Sequence, residues 1–261
     1  MKYSKQKLYD HLSDYKKNVL CIEQCGTWSK NGKKYDHILP IENIESNLID
    51  SPYKAALSEY LKKQETSLHH GFHHLNSSQA LAFNLFFPMI IERKLNILIG
   101  NACIDQEPDK AIFEHIHDEI ENTNFDFYIF TNKQHYFFEV KYSEDSFGTA
   151  PQDENHIRKY EEIYRKRIED IADIDINTFF RNYQLWRNII YTRQGLISFI
   201  LPRFRSDLAH EIENTKKVVK YPDRVRTIYI DDICNKMIDL ENESITQHYK
   251  EFCHKYLEIC V

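Results

Sequence analysis

Residues Asn124 to Gly148, NFDFYIFTNKQHYFFEVKYSEDSFG, contain the most informative pattern in this chain. Two segments rich in aromatic and β-branched residues, Phe125–Phe130 and Tyr136–Lys141, flank a short polar segment. Such a composition is typical of β-strands, and the polar residues between them predict a hairpin. A turn centred on Asn132 and Lys133 determines which residues of the two strands lie opposite each other.

The charged side chains of this hairpin share one face. In the predicted register Asp126 lies opposite Glu139. Because side chains alternate along a strand, Lys141 lies on the same face and Val140 points to the other. Two carboxylates can bind a divalent cation, and the nearby ammonium can attract a phosphate. A solvated cross-strand ion pair is the alternative, although the aromatic neighbours indicate a buried sheet, where unpaired charge is costly.

The composition is that of a globular protein. The chain has 261 residues, of which 42% are hydrophobic and 13% aromatic, enough for a sizeable core. We expect a single domain over residues 1–261, with an N-terminal extension (1–75), a core (76–230) and a C-terminal helical region (231–261). No apolar run is long enough to span a membrane, and the first residues have no apolar signal core. These features predict a cytoplasmic protein without membrane association.

The charge of the chain is unevenly distributed. The formal net charge is −6, yet residues 177–230 contain ten basic and four acidic residues and therefore carry +6, which leaves −12 for the remainder. Attraction of phosphates depends on the local surface and not on the total charge, so this segment is compatible with a nucleic-acid partner. A set of merely solvated charges is the alternative.

The cysteine and histidine patterns predict no metal site. The six cysteines form no CxxC pair, which favours free thiols in a reducing compartment over a disulfide framework. The histidine-rich segment HHGFHH, residues 69–74, completes no known spacing of metal ligands. We therefore assign no chemistry to either set.

The order of predicted elements indicates an α/β fold. A strand at residues 111–117 joins the hairpin to form a three-stranded meander, and an apolar helix, residues 77–95, precedes it. The resulting core is a helix, the meander, a helix and a strand, with an N-terminal helical extension. The other expected helices are Lys5–Val19, Tyr53–Lys63, Asp153–Ile171, Asn177–Thr192 and Thr246–Ile259, and the other expected strands are Leu196–Leu201 and Arg226–Ile230.

Asp126 followed by Glu139-Val140-Lys141 resembles the D…ExK signature of the PD-(D/E)xK nuclease superfamily, except that Phe125 replaces the proline of the formal signature. Further segments resemble a bacterial family of restriction-endonuclease-related proteins. They are GTWSKNGKKYDHILP, FHHLNSSQALAFNLFFP, TNFDF, FFEVKYSEDSFG and YQLWRN, and they extend from Gly26 to Asn188. The resemblance implies a restriction-endonuclease-like core and metal-dependent hydrolysis of phosphodiesters.

This resemblance implies roles for the hairpin residues. Asp126 and Glu139 would bind one or two Mg²⁺ ions, which Mn²⁺ can replace, and the backbone carbonyl of Val140 would be a further ligand. Bound metal would polarise the scissile phosphate and activate water. Lys141 would orient that water or stabilise charge on the phosphate oxygens.

Residues outside the hairpin complete the expected site. Related nucleases contribute an acid from the preceding helix, here Glu92 with Glu121 as a rival, and a glutamine from a flanking helix, here Gln184. An ordinary surface position is the alternative for either glutamate. Gln184 could likewise simply face water. Glu144, in the matched segment FFEVKYSEDSFG, either supports the site or ends the strand.

Three arginines are candidates for binding nucleic acid. Arg187 lies one helical turn after the expected glutamine and suits a phosphate contact, although it could simply face water. Arg181 and Arg193 belong to the same basic segment.

The sequence thus predicts a Mg²⁺-dependent endonuclease that acts on DNA, in restriction or defence. A homodimer would match the two-fold symmetry of the duplex, although no interface signature is visible. Two alternatives stay open. One is a nuclease-fold module that binds nucleic acid or a protein without cleaving, and the other is a nuclease for RNA or single-stranded DNA.

Overall fold

The computed structural model describes residues 3–64, 66–100, 108–240 and 242–259. Its α-helices are α1 (Lys5–Asn18), α2 (Lys54–Lys63), α3 (Ser78–Ile91), α4 (Asn96–Ile99), α5 (Glu154–Lys159), α6 (Arg165–Glu169), α7 (Ile176–Arg181), α8 (Tyr183–Ile189), α9 (Ser206–Lys216), α10 (Ile230–Ile238) and α11 (Glu243–Tyr256). Its strands are β1 (Gly26–Trp28), β2 (Lys33–Tyr35), β3 (Lys110–Ile116), β4 (Asn124–Thr131), β5 (Gln134–Val140), β6 (Gly195–Leu201) and β7 (Val225–Tyr229).

The chain divides into two compact units. The first unit comprises Met1–Asp105, Pro202–Phe204 and Tyr229–Val261, and the second comprises Gln106–Leu201 and Arg205–Ile228. Helix α3, which we assigned to the core from the sequence, therefore belongs to the first unit, whereas the hairpin belongs to the second.

The first unit is built around α3. Ser77 caps this helix by accepting a hydrogen bond from the Ala80 amide, and most of its side chains are buried. Pro88 lies inside the helix and has no N–H to donate to the carbonyl of Asn84. His248 of α11 replaces that donor, because its Nε2 lies 2.8 Å from the Asn84 oxygen. The helix therefore continues through its proline.

The second unit contains the five-stranded sheet, ordered β3-β4-β5-β6-β7. Strands β3, β4 and β5 form the predicted antiparallel meander, and β6 joins β5 in parallel. The side chains of Phe125, Phe127, Phe137 and Phe138 are fully buried. This confirms a mixed α/β fold with a buried aromatic sheet at the hairpin.

The hairpin turn has the register that the sequence predicts. Thr131 pairs with Gln134 and Phe127 with Phe138, so the next pair along the ladder is Asp126 and Glu139. The two residues in the turn, Asn132 and Lys133, have φ angles of 51° and 60°. A two-residue loop with both φ angles positive matches the type I′ turn, whose twist suits a hairpin.

The Lys133 position in this turn favours glycine. We expect Lys133→Gly to raise the free energy of unfolding by about 0.5–1 kcal/mol, because glycine adopts a positive φ without the steric cost of a Cβ. Lys133→Val should lower it, since β-branched residues tolerate this region poorly. Urea denaturation of the three proteins measures both differences, and equal stabilities would contradict the strain at this turn.

Two predicted helices are interrupted. Residues 177–192 form α7, α8 and a final 3₁₀ turn instead of one helix, because Asn182 has φ −124° and ψ 51°. Residues 153–171 contain a π-helical turn at Tyr160–Tyr164. Ile230, predicted as the end of a strand, begins α10, and neither α9 nor α10 was predicted from the sequence.

Two further predictions concern the cysteines and membrane-spanning helices. Cys21, Cys25, Cys234 and Cys253 are free thiols, and Cys103 and Cys260 lie outside the described residues. Within the described ranges, no helix combines the length and the apolar character needed to cross a bilayer.

Candidate active site

The two hairpin carboxylates lie on neighbouring strands, as the register requires. Asp126 is half-buried in β4, and its Oδ2 accepts a hydrogen bond of 2.7 Å from the backbone N–H of Val140. Glu139, the preceding residue on β5, is 3% exposed. The N–H of Val140 thus orients one carboxylate beside the other and leaves the Val140 carbonyl as the group that could serve as a ligand.

Glu139, Lys141 and Gln184 form a closed polar arrangement. Lys141 Nζ lies 3.1 Å from Glu139 Oε1 and donates to Gln184 Oε1 at 2.6 Å. Gln184 Nε2 donates to the same Glu139 oxygen at 2.6 Å. The alternative of a solvated surface ion pair is therefore wrong, because the side chains of Glu139 and Lys141 are both 4% exposed.

Backbone hydrogen bonds position Gln184. The break at Asn182 frees the first amides of α8, and those of Tyr183 and Gln184 donate to the carbonyls of Gly148 and Phe147, both at 3.0 Å. The loop after β5 therefore caps the helix that carries the glutamine. Gly148 has a φ of +68°, a conformation that favours glycine. Lys141 and Gln184 are thus held at the two ends of one loop-to-helix junction.

The electrostatics of the site reflect two acids and one lysine in a confined space. Burial, together with the charges of Glu139 and Glu114, raises the pKa of Asp126 well above its usual range. Burial also raises the pKa of Glu139, although Lys141 opposes this. For Lys141, burial lowers the pKa, but the surrounding carboxylates outweigh burial and raise it. The lysine stays charged, and the carboxylates repel each other.

Glu114 is a further carboxylate near the site, and we did not predict it from the sequence. In the β3–β4 ladder Phe113 pairs with Phe127 and His115 with Phe125, so Glu114 lies opposite Asp126. Its φ of 54° marks an irregularity in the strand. Three carboxylates thus follow one another across β3, β4 and β5. In the sequence, Glu114 could be noticed only as a charged residue inside an apolar strand. Its position opposite Asp126 became visible only with the pairing of β3 and β4.

The oxygen donors of the site fit a hard divalent cation. Mg²⁺ is commonly bound through one or two carboxylates, while water and substrate fill its other positions. Asp126 and Glu139 supply two carboxylates that repel each other, and Asp126 Oδ1 has no hydrogen bond to another described residue. Among the described residues, no group of three or more His, Cys, Asp or Glu side chains has a metal-binding arrangement. The fit therefore rests on these two acids.

Arg187 has a partner that we did not predict from the sequence. Its Nε donates to Glu121 Oε1 at 2.8 Å, and its Nη2 donates to the Asn122 carbonyl at 3.2 Å. Glu121 is fully buried and also accepts hydrogen bonds from the hydroxyls of Tyr164 and Tyr191. This ion pair competes with the predicted phosphate contact of Arg187, and it occupies Glu121, the rival acid.

The remaining predicted residues lie in different surroundings. Arg181 is exposed, and Arg193 pairs with Asp170. Glu92 belongs to the first unit, where it accepts a hydrogen bond of 2.7 Å from the Tyr53 hydroxyl.

Glu144 lies close to the site without belonging to the closed arrangement. Its Oε2 accepts a hydrogen bond of 2.7 Å from the backbone N–H of Tyr142. Its charge contributes to the raised pKa values of both Glu139 and Lys141. Glu144 thus accepts a backbone hydrogen bond just after the end of β5 and adds negative charge near Glu139 and Lys141.

The basic segment is less positive at its surface than its composition predicts. Three of its cations are paired with acids outside the segment, namely Arg187 with Glu121, Arg193 with Asp170 and Arg203 with Asp232. Local pairing removes much of the field that would attract phosphates.

Comparison with known families places the chain in a restriction-endonuclease-related class. Residues 9–257 match the family described as Restriction Endonuclease associating with ARP, and the chain belongs to that family. The match includes every residue of the site and confirms the relationship indicated by the segments between Gly26 and Asn188. No curated protein and no solved structure matches the chain.

Proposed function

We propose that the protein is a metal-dependent nuclease of the PD-(D/E)xK superfamily that hydrolyses DNA phosphodiester bonds. It would act as a restriction or defence endonuclease in the cytoplasm. The observation that carries the proposal is the arrangement of buried Glu139 and Lys141 with Gln184, and with Asp126 on the adjacent strand.

Energetic cost supports a functional role for these charges. Burying an ion pair costs desolvation energy that often exceeds the attraction between the two charges. Hydrophobic residues of the same size would stabilise the fold equally well. The raised pKa values of Asp126 and Glu139, for both of which desolvation is the largest cause, add to that cost. Groups with such perturbed pKa values are concentrated at functional sites.

The residues divide the work of hydrolysis. Asp126, Glu139 and the Val140 carbonyl would hold Mg²⁺ or Mn²⁺, which when bound polarises a phosphate and lowers the pKa of water. Lys141 presents a permanent positive charge to the phosphate oxygens, on which negative charge increases during attack. Gln184 keeps that ammonium in place by accepting a hydrogen bond from one of its three N–H groups.

Three arginines differ in how readily they can contact DNA. Exposed Arg181 can meet a phosphate directly, whereas Arg187 and Arg193 would first leave Glu121 and Asp170. The family description names association with ARP, so we also propose a partner protein of that description. A homodimer is the second assembly to be tested, by light scattering in solution.

Cleavage assays with the full chain test the proposal. Purified protein should cut plasmid and linear DNA in the presence of Mg²⁺ or Mn²⁺, and titration calorimetry should detect binding of either ion. Asp126→Asn, which removes one carboxylate charge, should weaken both. Glu162→Gln, at an exposed glutamate of the same unit, is the matched control. Intact DNA at stoichiometric protein, with no heat of metal binding, would sink the nuclease proposal.

A binding module without catalysis is the second candidate. Two observations favour it, namely the word "associating" in the family description and the closed arrangement in which Lys141 is already paired with Glu139. Such a module would bind no metal at the hairpin, so calorimetry separates the two candidates. Cleavage of RNA or single-stranded DNA alone would instead change the substrate and keep the chemistry.

A further inference from the structure

Asn188 is a buried polar residue for which the structure shows no ordinary hydrogen bond. It is fully buried on α8, and neither its Nδ2 nor its Oδ1 has a partner of normal geometry among the described residues. Leaving buried donors and acceptors unpaired is costly, and each such group in a folded protein calls for an explanation. Asn188 is therefore a candidate for a group that gains its partner in another state of the protein.

The position of Asn188 connects it to the hairpin. It lies four residues after Gln184 on the same helix, so the two amides project from about the same face. Gln184 is fully engaged, because one end of its amide contacts Lys141 and the other contacts Glu139. Burial raises the pKa of Glu139, and an interaction with the Asn188 amide is among the causes that oppose this rise. Two amides thus flank one carboxylate, and only that of Gln184 makes a hydrogen bond of normal geometry to it.

Ser198 is a second buried polar residue, and its position relative to the candidate site differs from that of Asn188. The Ser198 hydroxyl on β6 is also buried without a hydrogen-bond partner among the described residues. Ser198 is aligned with Phe138 on β5, so it lies on the sheet face opposite to Glu139. Ser198 therefore faces away from the candidate site, whereas Asn188 faces its carboxylate.

We propose that Asn188 is a positioning residue that donates a hydrogen bond to Glu139 when a divalent cation is bound at the hairpin. In the structure, Lys141 and Gln184 both hold Glu139 Oε1. A bound cation competes with the Lys141 ammonium for the same carboxylate, so Glu139 loses one of its two donors and keeps only Gln184. Asn188 replaces the lost donor. This inference rests on the proposed metal-dependent function.

Calorimetric titration of the full chain with Mg²⁺, and separately with Mn²⁺, tests the proposal. Mutation of a residue that orients a metal ligand typically weakens metal affinity by about 10–100-fold, so Asn188→Leu should weaken metal binding by at least about 10-fold. Its thermal unfolding midpoint without metal should stay the same or rise, because the variant removes two unpaired polar atoms. Asn188→Ser, which keeps a donor, should bind with intermediate affinity.

Ser198→Ala is the matched control, since it also removes an unpaired buried polar atom and should leave metal affinity unchanged. Equal affinity of the wild type and Asn188→Leu would overturn the role of Asn188 while leaving the nuclease proposal intact. If Asn188→Leu does not fold, equal affinity of the wild type and Asn188→Ser would overturn that role in the same way. A wild type that binds neither ion would overturn both proposals together.

Discussion

Lys141→Met is expected to reduce the rate of DNA cleavage by at least about 100-fold, the usual effect of removing a group that stabilises charge in a transition state. The methionine keeps most of the volume of the buried side chain but supplies no positive charge. Binding of DNA should change much less, since Lys141 is 3% exposed and contributes little to the outer surface. Single-turnover cleavage and a filter-binding assay measure the two quantities separately.

The substitution also affects stability, and a second variant separates the two effects. Removing the lysine leaves the Glu139 carboxylate buried without its cation, which costs about 3–5 kcal/mol. The double variant Lys141→Met with Glu139→Gln removes both charges, so it should recover much of that stability and remain unable to cleave. Lys110→Ala, at an exposed lysine of β3, should retain full activity. Near-normal cleavage by a folded Lys141→Met protein would rule out the proposed role.

The second large effect is expected at Glu121. Glu121→Gln should lower the free energy of unfolding at pH 7 by about 3 kcal/mol, because Arg187 loses its counter-ion in a largely buried site. The hydroxyls of Tyr164 and Tyr191, which donate to the carboxylate, lose a charged acceptor as well. Glu162→Gln, at an exposed glutamate, should have almost no effect.

The effect at Glu121 should depend on pH in a defined direction. Burial pushes the pKa of Glu121 upward, but Arg187 and the hydrogen bonds of Thr123 and Tyr164 outweigh it and hold the pKa below its ordinary value. A carboxyl with a lowered pKa stabilises the fold above its unfolded pKa of about 4.3, and this contribution is lost as the pH falls through the folded pKa. Urea denaturation should therefore show wild type and Glu121→Gln converging in acid. A difference that stays constant down to about pH 3, below that unfolded pKa, would contradict the prediction.

The hairpin could be predicted well because its determinants are local. The turn residues Asn132 and Lys133 set the pairing, and the pairing sets Asp126 opposite Glu139. Strand alternation then places Lys141 on the same face. Gln184 was available only through its resemblance to a known segment, since its contacts with Glu139 and Lys141 cross more than forty residues.

The failures of sequence reasoning concern partners that are distant along the chain. The sequence did not reveal the ion pair of Arg187 with Glu121, which joins positions 66 residues apart. The break at Asn182 was missed because the carbonyls of Gly148 and Phe147, which accept hydrogen bonds from the amides freed there, lie in another segment. Asn188 had no signal of its own, since an asparagine on a helix attracts attention only when its lack of partners is visible.

The junction between the loop after β5 and the start of α8 also bears on how the protein folds. Joining Gln184 to Lys141 closes a loop of 43 residues, which carries an entropic penalty that the two-residue hairpin turn avoids. The hairpin can therefore form early, while the glutamine arrives only after α5 to α8 have been synthesised and docked. We infer that a partly synthesised chain displays the acids and the lysine without their helix-borne partner. Assembly of the complete site would then follow formation of the hairpin.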